Sequence, residues 1–63
     1  MLNEHIVVEA TKNLSDKVVA GGKGTVMFVY YDPQLAYEVE FFDDEGYTLD
    51  LLTVFPSDIK PIQ

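Results

Sequence analysis

Hydrophobic and polar residues alternate most clearly over residues 35–42, which read Leu-Ala-Tyr-Glu-Val-Glu-Phe-Phe. A period of two is typical of a β-strand with one buried face. A second apolar segment, residues 47–54, follows the acidic turn at residues 43–46. The turn ends in Gly46, which can adopt the positive φ that a three-residue loop with a bulge requires. The pattern predicts a β-hairpin with one apolar face and one acidic face.

The register of this hairpin decides which side chains face inward. A three-residue loop pairs Phe41 with Leu49. The same register pairs Val39 with Leu51, so that the inner face is wholly apolar. A two-residue loop would place Phe41 against Asp50 and bury a charge beside a core aromatic ring. We therefore predict the first register.

The outer face of the hairpin is the candidate functional surface, since acids there surround an apolar centre as at many protein interfaces. The predicted register of the hairpin pairs Glu38 with Leu52 on this face. It also sets Glu40 opposite Asp50, and like charges in that position destabilise a sheet, so folding alone does not explain the pair. The alternative is an ordinary solvated face, because scattered exposed apolar residues are normal. We predict that a partner protein contacts Glu38, Glu40, Phe42, Asp43, Asp44, Glu45, Asp50 and Leu52.

Two earlier segments, residues 6–11 and 24–31, also read as strands because they are rich in β-branched and aromatic residues. Val26 and Val29 are three positions apart, so a bulge near residues 27–28 would let both face inward. The other predicted elements are a long loop at 12–23 with Leu14, Val18 and Val19 tucked beneath it, a turn at 32–34, a 3₁₀ turn at 56–58 and a strand at 59–62.

These elements predict an all-β fold: a small five-stranded SH3-like barrel with a long first loop and a 3₁₀ turn before the last strand. Residues 1–63 are expected to form a single domain. A five-stranded open meander is the alternative. Closure is favoured because it removes most of the free strand edges that an open sheet exposes.

Charge is the most informative property of the composition. The 63 residues carry 4 basic side chains, all Lys, and 11 acids, for a formal net charge of −7. No basic residue lies between Lys23 and Lys60. Binding to nucleic-acid phosphates draws on clustered cations, so this composition favours a basic protein partner, or serves only solubility.

The residues that could carry chemistry do not form a recognisable catalytic or metal motif. The sequence has no cysteine for a disulfide or a thiolate site. Its one histidine, His5, is expected to be an ordinary surface residue. The acids Asp43, Asp44 and Glu45 do not match the spacing of a calcium loop. We therefore expect no enzymatic activity, no metal and no cofactor.

An aromatic segment, Val29-Tyr30-Tyr31-Asp32-Pro33, superficially resembles the strip with which SH3 domains hold proline-rich peptides. It follows the second strand instead of opening the first loop, and the chain has no Trp to complete a groove. We expect one of the two tyrosines in the core and the other on the barrel wall.

No targeting signal is predicted. Glu4 precedes any lysine, and Ile6-Val7-Val8 is too short for the apolar part of a signal peptide. No apolar run approaches the roughly 20 residues that cross a bilayer. A soluble cytoplasmic protein is expected.

Five segments carry a family resemblance: residues 21–26, residues 36–42, the Asp-Glu-Gly turn, residues 51–54 and residues 58–62, with Tyr-Glu-Val-Glu-Phe as the most specific block. Over nearly the whole chain they resemble a family of short bacterial proteins, common in cyanobacteria, that is known as a domain of unknown function. The resemblance implies an SH3-like barrel and a small operon companion of the antitoxin kind. It transfers no catalytic residue.

We predict a small acidic protein-binding module, antitoxin-like or immunity-like, that neutralises a more basic partner. The alternative is a role related to nucleic acid. An accessory barrel of the transcription or translation machinery would need basic loops that this chain lacks. A mimic of the phosphate backbone would instead use the acids to block a nucleic-acid-binding protein.

Overall fold

The computed structural model describes residues 2–62 and contains five β-strands and one 3₁₀ turn. The strands are β1 (Val7–Ala10), β2 (Lys23–Tyr30), β3 (Ala36–Phe42), β4 (Thr48–Val54) and β5 (Ile59–Pro61), and the 3₁₀ turn is Pro56–Asp58. Every predicted strand is present, and each of its ends lies within one residue of the predicted position. Within residues 2–62, no helix is long and apolar enough to cross a membrane.

The position of β5 decides between the two predicted architectures. The strand order is β4-β3-β2-β1-β5 and all neighbours are antiparallel. A meander would place β5 beside β4, whereas here it pairs with β1. The backbone N–H of Thr11 extends this pairing by donating to Asp58 O at 2.9 Å. The prediction of a small all-β, SH3-like barrel is confirmed, and the meander is wrong.

The sheet curls around a single core, because the described residues provide no second layer to cover a flat one. Val8, Val26 and Val39, on the three central strands, are each 0% exposed. A flat single sheet would leave its apolar face in water, so this burial requires the strands to wrap over one another. The core cluster draws on all five strands and the first loop: Val8, Ala10, Val18, Val26, Val29, Tyr37, Val39, Phe41, Val54 and Ile59.

Gly24 lies at the centre of the curled sheet, paired with Val8 of β1 on one side and Phe41 of β3 on the other. A Cβ atom at this position would lie 2.7 Å from Val39 Cγ1 and 2.9 Å from Phe41 Cδ1. It would also lie 2.9 Å from the backbone oxygen of Glu40, which cannot move without disturbing β3. The inner side chains of β3 therefore pack over the β2 backbone only because residue 24 is glycine.

The predicted bulge in β2 is confirmed. The β2–β3 register shifts between Val26 and Phe28, which leaves Met27 as the extra residue. Val26 and Val29 are both buried as a result, although they are three positions apart.

The turn between β3 and β4 is also as predicted. Asp43 N–H donates to Tyr47 O at 2.9 Å, and Gly46 N–H donates to Asp43 O at 2.9 Å. Gly46 has a φ of 89°, and Phe42 pairs with Thr48. The three-residue loop with glycine in the left-handed region is therefore confirmed.

Beyond this turn a second bulge, at Leu49, shifts the register by one residue. Val39 pairs with Leu52, not with Leu51 as predicted. Leu52 consequently packs against the core, while Leu51 is 55% exposed on the opposite side of the sheet. The predicted inward Leu51 and outward Leu52 are both wrong, because the prediction kept one register along the whole hairpin.

Residues 11–22 form the long first loop and partly cover the core. Val18 is 1% exposed and Leu14 packs against the core, as predicted. Val19 is 55% exposed, in contrast to the prediction. The chain turns at this point, where Gly22 N–H donates to Val19 O at 2.9 Å, and the turn directs the Val19 side chain to solvent.

Separate alanine substitutions of the two adjacent leucines of β4 test the bulge. Leu52→Ala is expected to lower the free energy of unfolding by about 2 kcal/mol, because it leaves a gap beside the core. Leu51→Ala removes the same atoms from an exposed position and should change that free energy by less than about 0.5 kcal/mol. Urea unfolding followed by circular dichroism measures both. If Leu51→Ala lowered the free energy of unfolding more than Leu52→Ala does, the register without a bulge at Leu49 would be supported instead.

A substitution at Gly24 tests the close approach of β2 and β3. Gly24→Ala is expected to destabilise the fold by about 1–3 kcal/mol, since the added methyl group overpacks the core. Thr25→Ala, on the other face of the same strand, is the control and should cost less than about 1 kcal/mol. Thermal unfolding compares the two. A Gly24→Ala protein as stable as the parent would contradict the proposed contact.

Candidate functional site: the outer face of β2, β3 and β4

The surface of β2, β3 and β4 that points away from the core is termed the outer face. Residues paired directly across a sheet point to the same side, so the register identifies its members. Phe55 follows the pair of Tyr37 and Val54 and therefore lies across from Ala36. Four rows cross the strands: Lys23, Phe42 and Thr48; Thr25, Glu40 and Leu51; Phe28, Glu38 and Thr53; and Tyr30, Ala36 and Phe55.

Four large apolar side chains of the outer face are exposed to solvent. Leu51 is 55% exposed, Phe28 50%, Phe55 44% and Tyr30 39%. The rings of Phe28 and Tyr30 meet edge to face with centroids 4.9 Å apart. None of these four residues belongs to the site predicted from the sequence. The exposure of Phe28 and Tyr30 follows from the predicted β2 bulge, because both residues must face outward once Val29 between them faces inward.

Two of the predicted acids lie among these side chains, as expected from their alternation with core positions. Glu38 Oε1 accepts hydrogen bonds from Thr53 Oγ1 at 2.7 Å and from the Tyr30 hydroxyl at 3.4 Å. Glu40 Oε2 accepts from Thr48 Oγ1 at 2.9 Å. Neither carboxylate forms an ion pair with a lysine of residues 2–62. Their charges are thus oriented by neutral hydroxyl groups and are not neutralised by them.

Asp50 does not share the outer face with Glu40, in contrast to the prediction. It pairs with Phe41, and Glu40 lies opposite Leu51, so the predicted like-charge pair is not formed. The half-buried carboxylate is satisfied by the first loop, because Ser15 Oγ donates to Asp50 Oδ2 at 3.1 Å. The backbone N–H of Leu51 donates to Oδ1 at 3.1 Å. These two donors offset the desolvation that had argued against this register.

The remaining predicted residues lie at the turn. Asp43 supports the turn itself, since its Oδ1 accepts two backbone N–H groups at 2.9 and 3.0 Å. Asp44 and Glu45 are exposed at the tip. Lys23 pairs with Phe42 and reduces the net negative charge at this end. Phe42 is half-buried and lines a hollow of about 350 Å³ together with Gly21, Gly22, Lys23, Asp43, Asp44 and Leu49.

An open cleft of about 330 Å³ occupies the other end of the outer face. Tyr30 and Phe55 line it, and Ala36, which is 6% exposed, lies between them in the same row. Thr53 and the β2–β3 turn at residues 32–34 complete the lining. The cleft exists because the smallest side chain of its row stands between two aromatic ones.

The predicted division of the aromatic segment, with one tyrosine in the core, is wrong. Tyr31 is 65% exposed and Tyr30 lines the cleft. The bulge in β2 turns Val29 inward, so the next residue must point outward. The tyrosine of the core is Tyr37, which is 1% exposed.

The fold and this surface define a small SH3-like barrel with an acidic and aromatic outer face. The family described as a domain of unknown function (DUF4926) matches residues 4–61, and the chain belongs to this family. The predicted resemblance to a domain of unknown function is confirmed to that extent. Comparison with curated proteins and with solved structures gives no match.

Proposed function

We propose that this protein is a non-enzymatic binding module that receives a basic protein partner on its outer face. The observation that supports the proposal is the combination of exposed apolar side chains with carboxylates that no lysine of residues 2–62 pairs with. The apolar residues are Phe28, Tyr30, Leu51 and Phe55, and the carboxylates are those of Glu38 and Glu40.

The apolar part of the surface supports a protein partner. Single exposed apolar residues are normal on any protein, but these four occupy neighbouring rows of one sheet. Aromatic side chains in the middle of a patch are typical anchors of protein interfaces. Covering them removes apolar area from water, which stabilises a complex by about 25 cal/mol per Å² before the losses of association are counted.

The charge supports a partner of opposite sign. The protein has a formal net charge of −7, and Glu38 and Glu40 place part of it in the middle of the apolar patch. Opposite charge accelerates encounter and disfavours partners of like charge. Because threonine hydroxyls already orient both carboxylates, less side-chain entropy is lost when a cation pairs with them.

Within this proposal, the partner is a more basic protein encoded nearby, which the module neutralises in the manner of an antitoxin or an immunity protein. The acidic composition supports this finer assignment, as does the role of small operon companion that the family resemblance implies. It predicts that the partner has an activity of its own, and that this activity falls when the two proteins are mixed.

The kinetics of the complex test the proposed surface. The tagged protein is used to isolate its partner from extract at low and at high salt, and surface plasmon resonance then follows the purified pair. Glu40→Lys is expected to slow association several-fold and to reduce its salt dependence. Leu51→Ala is expected to accelerate dissociation about tenfold, because it removes a buried anchor.

Asp16→Lys is the matched control for Glu40→Lys, and Tyr47→Leu is the control for loss of exposed apolar area, since both residues are exposed and lie off the outer face. Asp16→Lys changes the net charge as much as Glu40→Lys does. If it slows association equally, the effect comes from overall charge and the proposed surface is wrong. Unchanged dissociation of the Leu51→Ala protein would be equally damaging.

The same proposal predicts that the protein does not bind nucleic acid. At about 0.15 M salt, the protein should show no saturable binding to single- or double-stranded DNA or RNA, because binding draws on lysine and arginine clusters that displace counterions. Fluorescence anisotropy with labelled oligonucleotides measures this. Micromolar, salt-sensitive binding would favour the accessory role in transcription or translation instead.

A further inference from the structure

We propose that the cleft over Ala36 receives one arginine side chain of the partner, with its guanidinium group between Tyr30 and Phe55. This rests on the proposed function, since the cleft is one end of the outer face. It goes further by naming the chemical group that the cleft binds. Three observations support it: the placement of Tyr30 and Phe55 on either side of Ala36, the contacts that hold the Tyr30 ring and the charge around the cleft.

The placement of the two aromatic residues follows from the sheet. Tyr30 of β2 pairs with Ala36 of β3, and Phe55, directly after β4, lies across from Ala36 on its other side. Neighbouring strands lie about 4.8 Å apart, so the backbones of the two aromatic residues are about 10 Å apart. A flat group over Ala36 therefore lies between the two aromatic side chains, and a cation within roughly 6 Å of a ring centroid is attracted to the face of that ring.

One wall of the cleft is held in place before any ligand arrives. The Tyr30 ring packs edge to face on Phe28, with centroids 4.9 Å apart. Its hydroxyl donates to Glu38 Oε1 at 3.4 Å, and the same oxygen accepts from Thr53 Oγ1 at 2.7 Å. A preformed wall loses little side-chain freedom on binding, which favours the bound state.

The charge around the cleft is negative. Asp32 lines it at the β2–β3 turn, and Glu38 bonds to two of its lining residues. No lysine lines the cleft among the described residues. Lys23 starts β2 at the far end, seven residues and roughly 23 Å from Tyr30. Lys12 is in an ion pair with Asp58 at 3.2 Å.

Arginine fits these features better than lysine. Its guanidinium group is planar and weakly hydrated, stacks on aromatic rings, and offers several N–H donors to carboxylates at once. A lysine ammonium is a compact and strongly hydrated point charge, so a slot between two rings provides less for it.

Titration with small peptides tests the cleft without the partner. Ac-Gly-Arg-Gly-NH₂ is added to the isotope-labelled protein and followed by two-dimensional NMR. Saturable shifts are expected at the amides of Ala36, Thr53 and Phe55. The lysine peptide should bind at least about twofold more weakly, and the citrulline peptide, which is neutral, should not saturate. Equal binding of all three, or shifts centred elsewhere, would overturn the proposal.

Three substitutions probe separate features of the cleft. Phe55→Leu and Asp32→Asn are each expected to weaken arginine binding by about two- to fivefold, and Ala36→Val should obstruct it. Asp16→Asn makes the same change as Asp32→Asn, and Tyr47→Leu likewise replaces an aromatic ring by leucine; both positions are exposed and off the outer face, and both variants should leave arginine binding unaltered. The NMR spectrum of each variant also shows whether it is folded. Folded variants that bind as tightly as the parent contradict the proposal.

The partner complex separates this inference from the proposed function. If Phe55→Leu and Asp32→Asn leave the partner's affinity unchanged while Leu51→Ala weakens it, the outer face is the interface and the cleft inference is wrong. If Leu51→Ala and Glu40→Lys have no effect but the arginine peptide still saturates the cleft, the cleft stands and the broader docking surface is wrong.

Discussion

The close approach of β2 and β3 at Gly24 is the constraint on which the remaining structure depends. The described residues of this chain form one sheet and provide no second layer, so the sheet must cover its own apolar face. At Gly24 the side chains of Val39 and Phe41 occupy the space that a Cβ atom would need. Any other residue would hold the two strands apart and open the core to water. The curl, and with it the complete burial of the central valines, therefore requires glycine at this point.

The two bulges serve the same curl and also determine what the outside of the sheet presents. An extra residue bends a strand and increases its twist. Each extra residue also reverses the facing of every later side chain relative to strict alternation. Met27 thereby turns Phe28 and Tyr30 outward, and Leu49 does the same for Leu51. The exposed apolar surface is a geometric consequence of how the core is closed.

The sequence predicts most of the fold because the decisive signals are local. Alternation in β3, glycine at the hairpin turn and the break of period between Val26 and Val29 each lie within a few residues, and the structure confirms all three. The bulge at Leu49 has no such signal, since Leu49, Leu51 and Leu52 are chemically alike and only Asp50 differs between the two inner faces.

Asp50 was the residue that could have distinguished the two registers, and it pointed to the wrong one. Its carboxylate is stabilised by Ser15, which is 35 residues away in the sequence. A contact of that range is not visible from local pattern. The candidate site likewise has a part that local pattern predicts and a part that it does not. The outward positions of Glu38 and Glu40 follow from alternation in β3. The cleft instead depends on Tyr30, Ala36 and Phe55, from three separate segments, lying side by side.

The acidic charge and the apolar surface have to be considered together. Exposed aromatic residues promote self-association. An edge strand such as β4 also presents unpaired backbone groups with which a strand of another molecule can pair. Two copies of this chain that met through their outer faces would oppose Glu38 and Glu40 of one copy to the same acids of the other. Like charges in a partly dehydrated contact are unfavourable, and the bulge at Leu49 interrupts the regular edge of β4. In the proposed function these features disfavour pairing between like copies and leave the apolar surface accessible to a basic partner.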